Sequence, residues 1–242
     1  MGLARRHDRN RWERLAVRDP YFAVLTHDRF SNLGPDAPEL AEFYATGVPH
    51  VEAVLAFIRS TVAPEFAPRS ALDYGCGTGR ILKALAQTCD RVHGVDISPT
   101  MVAIARDATV DCDRIRVDAV GVGPTPLDAS YDFIHSFIVL QHVDERTGRQ
   151  LIAELLDRLA PGGVAALHLP YASTKPWLWG LRPYAGQIRS MLRQRRWRPF
   201  MRMTLYDLNA LVARVILPRA DAISMQLLDQ DGDLSAFVIV RR

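Results

Sequence analysis

Between Asp73 and Arg80 the chain reads Asp-Tyr-Gly-Cys-Gly-Thr-Gly-Arg. Glycines at alternate positions behind a short apolar run describe a turn from a strand into a helix. Such a turn lets a ligand approach the backbone closely, and the N–H groups that open the helix attract negative charge. Asp96 comes 21 residues after Gly75, at the end of a second apolar run. An acid there reaches the ribose hydroxyls of a nucleoside ligand. Asp118 ends a third such run, Arg-Ile-Arg-Val-Asp-Ala, beside the expected base. The turn is G-x-G-x-G and not the G-x-G-x-x-G of dinucleotide binders. Asp73, just before it, would set an anion against a pyrophosphate. A cationic ligand tolerates that anion.

The surrounding elements read as a frame for these residues. Ser70–Tyr74, Arg91–Asp96, Arg114–Ala119, Tyr131–Leu140 and Val164–Pro170 are strand-like, and the fourth is nearly all apolar, as a strand buried on both faces should be. Ser98-Pro99 caps a helix after the second strand. Asp144 can cap another, running to about Ala160 and stopped by Pro161-Gly162-Gly163. Alternating strands and helices predict an α/β fold, a doubly wound, mostly parallel Rossmann-like sheet over residues 70–170. Residues 1–69 read as an N-terminal helical cap, with helical spacing over 39–61 broken near Gly47–Pro49. Residues 171–203 read as a substrate-side insertion, and 204–242 as a helix opened by a Thr cap followed by an antiparallel hairpin. The whole reads as one domain, 1–242.

Composition narrows the function. Apolar residues are 48% and charged residues 24%, an ordinary globular balance. No apolar run approaches the ~18–20 residues that cross a bilayer, and the basic N-terminus has no apolar stretch behind it, so a cytoplasmic protein is expected. Cys76, Cys89 and Cys112 fit no metal motif, and no metal is expected. A net charge of +3 is too small to imply nucleic acid.

Taken in order, LDYGCGTGR, VHGVDISPTMVAIAR, RVDA, YDFIHSFIVLQHVD and LAPGGVAALHLP resemble the class I S-adenosylmethionine-dependent methyltransferases, across about residues 70–170. The resemblance implies S-adenosyl-L-methionine as cofactor. It implies that Asp73 and the backbone of Gly75, Gly77 and Gly79 border its methionine part. Asp96 would hold the ribose hydroxyls, with Ile97 against the adenine and Asp118 and Ala119 at the adenine edge.

After the fourth strand the chain has SFIVLQHV. That is neither the Asn/Asp-Pro-Pro-aromatic motif of amino-group methylases of DNA bases nor a Pro-Cys nucleophile, so DNA is not an expected partner. Gln141-His142 resembles the small-molecule branch. A hydroxyl acceptor needs a base, and histidine titrates near neutral pH, which makes His142 the catalytic candidate, with a packed, orienting histidine as the alternative. His135, inside the fourth strand, reads as structural. Trp12, Tyr21, Phe22, His27, Tyr171, Trp177, Trp179, Tyr184 and Trp197 are candidates for the acceptor wall. Seven arginines lie between Arg182 and Arg202 with no acid among them. They read as a solvated face, as a grip on an anionic acceptor, or as a contact with anionic lipid or RNA. The expected activity is methyl transfer to a small molecule, at the oxygen of a sugar or secondary metabolite. An RNA or protein methylase and a non-catalytic cofactor-binding protein are the alternatives. Oligomeric state is not legible.

Overall fold

The computed structural model describes residues 2–120, 127, 130–174, 203–230 and 233–242. Seven strands form one sheet in the order β3-β2-β1-β4-β5-β7-β6. They are β1 (Ser70–Tyr74), β2 (Arg91–Asp96), β3 (Ile115–Ala119), β4 (Tyr131–Ser136), β5 (Leu159–Ser173), β6 (Ala222–Gln230) and β7 (Asp233–Arg241). The first five run parallel, β7 is antiparallel to β5, and β6 closes the hairpin on β7. The order in which strands are added reverses between β1 and β4, and in such sheets ligands bind at the strands' carboxyl ends beside that switch.

Side chains alternate across the sheet, so each strand feeds two cores. Ala71, Phe133, Ala166 and Phe237 pack with α4 (Gly47–Thr61) and α5 (Arg80–Leu85) through Val51, Leu55, Ile58, Leu82 and Leu85. On the other face Leu72, Ile134 and Leu167 meet Leu151, Ile152 and Leu155 of α7 (Glu145–Leu156). Each such side chain contributes ~1.5–3 kcal/mol when fully buried. The N-terminal segment holds α1 (Gly2–Arg18), α2 (Pro20–Val24) and α3 (Glu39–Ala45). It has its own aromatic centre, with Tyr21 and Phe30 edge-on to Phe43 at 5.2 and 5.4 Å. Two expected caps are made. Ser98 Oγ accepts from Met101 N at 3.1 Å to open α6 (Pro99–Ala108), and Asp144 Oδ1 accepts from Thr147 N at 3.0 Å to open α7.

Three elements differ from expectation. α7 ends at Leu156, and Pro161–Gly163 lie inside the start of β5, not at a helix end. Gly162 is left-handed at φ 76°, and the β4–β5 register jumps there from Tyr131↔Leu159 to Phe133↔Val164, so the three residues form a bulge. β4 stops at Ser136 because Ile138 turns to φ 60°, which lifts the following residues off the sheet. The tail helix is α8 (Leu208–Leu211), continued as a π-helical turn over Val212–Ile216, and its cap is Asp207, whose Oδ1 accepts from Ala210 N. Thr204 does not cap it: its N–H bonds Gln141 O at 2.7 Å. The arginine-rich stretch Arg182–Arg202, and Trp177, Trp179, Tyr184 and Trp197, lie outside the described residues. Among the described residues no helix is long and apolar enough to cross a membrane.

Candidate functional site

A cavity of about 160 Å³ opens at the carboxyl ends of β1, β2 and β4. The turn after β1 makes its floor. Gly75 and Gly77 hold φ 82° and 53°, and both line the cavity. A Cβ at Gly75 would collide with Val139, and one at Gly77 would sit 2.6 Å from Val24 Cγ2. Both valines are cavity walls, so only bare backbone leaves this space open.

Asp96 joins the turn to β2. Its Oδ2 accepts from Gly77 N at 3.0 Å and its Oδ1 from Ser98 N at 2.9 Å. Burial raises its pKa to about 6, opposed by those backbone hydrogen bonds and reinforced by Asp73. Each carboxylate oxygen keeps a second lone pair, so two hydroxyls can still be received. Ile97, Met101, Val120 and Leu151 supply an apolar slot beyond it.

The opposite wall is His142, buried in the helical turn Leu140–His142. Its ring meets Trp12 edge-on at 4.9 Å, and its Nε2 lies 3.1 Å from the Gln141 amide nitrogen. That nitrogen donates, so Nε2 accepts. The turn is held from outside by Tyr206, whose hydroxyl donates to Leu140 O at 2.9 Å. Above the cavity, α1 bridges the two sides. Next to Trp12, Glu13 accepts from Ser98 Oγ at 2.6 Å and from Thr100 Oγ1 at 2.5 Å.

The expected site residues divide. Gly75, Gly77, Asp96, Ile97 and His142 come together around the cavity. Gly79, at φ 88°, instead turns the chain into α5, where a Cβ would be 3.3 Å from Ala105 Cβ. Asp118 faces away, with Oδ2 2.6 Å from Arg116 Nε and 3.1 Å from His93 Nε2. Ala119 is exposed, and it is Val120 that reaches the cavity. Asp73 is buried just behind the turn with Oδ1 2.8 Å from His135 Nδ1. Of the acceptor-wall candidates, Trp12 lines the cavity, Tyr21 and Phe22 are buried, and His27 is exposed. Val24, Phe137 and Val139 are walls that no spacing rule could have marked, because they are ordinary apolar residues placed by the turn at Ile138 and by the packing of α2.

Comparison with known proteins agrees with this geometry. Residues 71–163 match the family described as "Methyltransferase domain". Trans-aconitate 2-methyltransferase of Delftia acidovorans is 35% identical over 104 residues, 42% of this chain and 38% of that protein. The Paracidovorax citrulli protein of the same name is 32% identical over 126 residues, 51% of this chain and 47% of its own. The match thus spans less than half the length of these relatives. Among solved structures, the N-methyltransferase NodS from Bradyrhizobium japonicum, in complex with S-adenosyl-L-homocysteine, covers 96% of this chain and 98% of its own at 17% identity and TM-score 0.57. Magnesium protoporphyrin IX methyltransferase from Synechocystis covers 95% and 99% at 19% identity and TM-score 0.57. The strand order, the glycine turn under a cavity and the matched residues converge: residues 71–163 match a methyltransferase domain, on a fold shared with these solved methyltransferases.

Proposed function

We propose that this protein transfers the methyl group of S-adenosyl-L-methionine to a hydroxyl oxygen of a small molecule. The observation that carries the reading is Asp96, pinned between the Gly77 and Ser98 N–H groups at the cavity's edge. When bound, the cofactor supplies an electrophilic methyl on a cationic sulfur. Asp96 would receive the ribose hydroxyls, and Ile97, Val120 and Leu151 would enclose the adenine. The backbone of Gly75 and Gly77 would lie along the methionine part. Asp73, whose Oδ1 is held by His135, would offer its other oxygen to the ammonium group.

The chain's own contribution is then alignment. Methyl transfer needs acceptor, methyl carbon and sulfur nearly in line, so much of the rate comes from positioning. His142 serves here as a wall that holds Trp12 edge-on, since its Nε2 already takes the Gln141 amide.

A carboxylate acceptor is the second reading. It is favoured by the trans-aconitate named for the relatives, and it suits the arginine-rich stretch as an anion grip. The test is S-adenosylhomocysteine release from purified protein over phenols, sugars, simple alcohols, trans-aconitate, RNA and protein. Turnover on a small hydroxyl compound is the expected result. Turnover confined to trans-aconitate, RNA or protein would replace the proposal. Cofactor binding without turnover on any acceptor would favour a non-catalytic protein.

A further inference from the structure

Behind the glycine turn lies a chain of titratable groups, of which the cofactor reading uses only Asp73. His135 on β4 places Nδ1 2.8 Å from Asp73 Oδ1 and Nε2 2.9 Å from His50 Nε2. His50 stands in the first turns of α4, close to the sheet's carboxyl end. Thr46, just before α4, accepts from Arg80 at the start of α5. The His50 ring lies 4.4 Å from that of Phe137, a wall of the cofactor cavity. His135 is 1% exposed, while His50 is only half-buried.

The hydrogen bonds fix the protons. A carboxylate only accepts, so His135 carries its proton on Nδ1. In a neutral ring Nε2 then accepts, and His50 must donate from its own Nε2. That leaves His50 Nδ1 with a lone pair that has no partner among the described residues. We propose that His50 Nδ1 is the group that receives the acceptor's hydroxyl proton, with His135 and Asp73 as its positioning residues. This rests on the methyl-transfer reading above and narrows the acceptor to a hydroxyl.

The step balances. The acceptor oxygen forms its bond to the methyl carbon as the carbon–sulfur bond breaks, and the sulfonium leaves as a neutral thioether. The hydroxyl proton moves to His50 Nδ1 and later to solvent. The positive charge thus passes from sulfur to an imidazole linked to Asp73 through one ring. His50 is a weak base, held near pKa 3 by burial, His135, Arg80 and His168. A weak base suffices, because a hydroxyl in the act of being methylated is far more acidic than a free one. A carboxylate acceptor has no proton to give up and would leave His50 without a role.

Long-range ¹H–¹⁵N spectra of the full chain with S-adenosylhomocysteine read the tautomers directly. The expected pattern is Nδ1–H on His135 and Nε2–H on His50, with His50 neutral from pH 7 to pH 5. Nδ1–H on His50, or titration near its ordinary value, would overturn the proposal whatever acceptors are found. His50→Gln keeps a donor toward His135 and removes the Nδ1 lone pair. It should lower turnover on a hydroxyl acceptor at least 100-fold while leaving cofactor affinity and melting temperature near wild type. Turnover within threefold of wild type, or equal losses of turnover and cofactor affinity, would reject the role. Methylation of trans-aconitate but of no hydroxyl compound would also reject it. Failure of the wild type to bind S-adenosylmethionine at all would instead sink the methyl-transfer reading.

Discussion

Gly77 shows how a single position can carry two constraints at once. Its φ of 53° strains any L side chain, and the Cβ direction is occupied by Val24 of α2. Gly77→Val should therefore abolish cofactor binding and also push α2 away from the turn. Calorimetry would show no binding heat, and proteolysis should cut residues 20–30 faster than in wild type. A variant that binds normally would show that the turn is only a packing feature. His142 can be judged in the same way. If it is a wall, His142→Ala should keep turnover within about tenfold and weaken cofactor affinity through the loss of Trp12's partner. A general base would cost ~10²–10⁴-fold in turnover with affinity unchanged. Gly75 and Gly77 could be found from spacing because positive φ favours glycine there, and Asp96 because the end of β2 falls at a fixed distance from that turn. The Asp73–His135–His50 chain could not, since His50 and His135 are 85 residues apart and only the β1–β4 pairing and the seating of α4 bring them together.

α1 is a strap across the cavity. Trp12 leans on the β4 side, and Glu13 binds the N-terminus of α6 on the β2 side. Burial alone would raise the Glu13 pKa, yet hydrogen bonds from Ser98 and Thr100 and the charge of Arg9 leave it lowered. The carboxylate form is thus the one that holds the strap. Glu13→Ala should weaken cofactor binding several-fold and speed cofactor release, measured by stopped-flow tryptophan fluorescence. Unchanged release would mean that α1 does not gate the cavity. Strands β1 and β2 stand at the bounds read from sequence because each is a short apolar run closed by an acid or a glycine turn. β4 is shorter than its apolar run, because Phe137–Val139 are apolar as cavity walls and not as strand. Periodicity cannot separate the two uses.

Across the whole molecule the buried histidines make stability depend on pH. His168 on β5 is 2% exposed, and neither ring nitrogen has a hydrogen-bond partner among the described residues. Burial, with His135 nearby, lowers its pKa to about 4. Below pH 6.5 the unfolded chain binds this proton and the folded chain does not. Stability is therefore complete above pH 6.5 and falls as pH drops toward 4, by on the order of 3 kcal/mol for this group. His50 acts in the same direction. His168→Leu should remove that part of the slope and, by deleting two unsatisfied polar atoms, raise stability at pH 7 by ~1–3 kcal/mol. Urea melts from pH 7.5 to 4.5 would show it, and a destabilised variant with an unchanged slope would contradict it. The sheet's class was legible because strand and helix signals alternate through residues 70–170, and the C-terminal hairpin because its turn is rich in Asp and Gly. The placement of the N-terminal helices over the cavity was not, because long-range packing of α1 and α2 sets it.

The most direct measurement is calorimetric titration of S-adenosylmethionine into wild type and Asp96→Asn at pH 7.5 and pH 5. In the proposed reading the carboxylate is the form that would receive the ribose hydroxyls, and burial raises its pKa in the free protein to about 6. Wild type should bind at pH 7.5 and lose roughly tenfold in affinity at pH 5, since each unit below the pKa costs about 1.4 kcal/mol. Asp96→Asn should bind at least tenfold more weakly at pH 7.5 and show little further change at pH 5. A folded Asp96→Asn that binds as tightly as wild type, with the same pH dependence, would contradict the placement of the cofactor in this cavity.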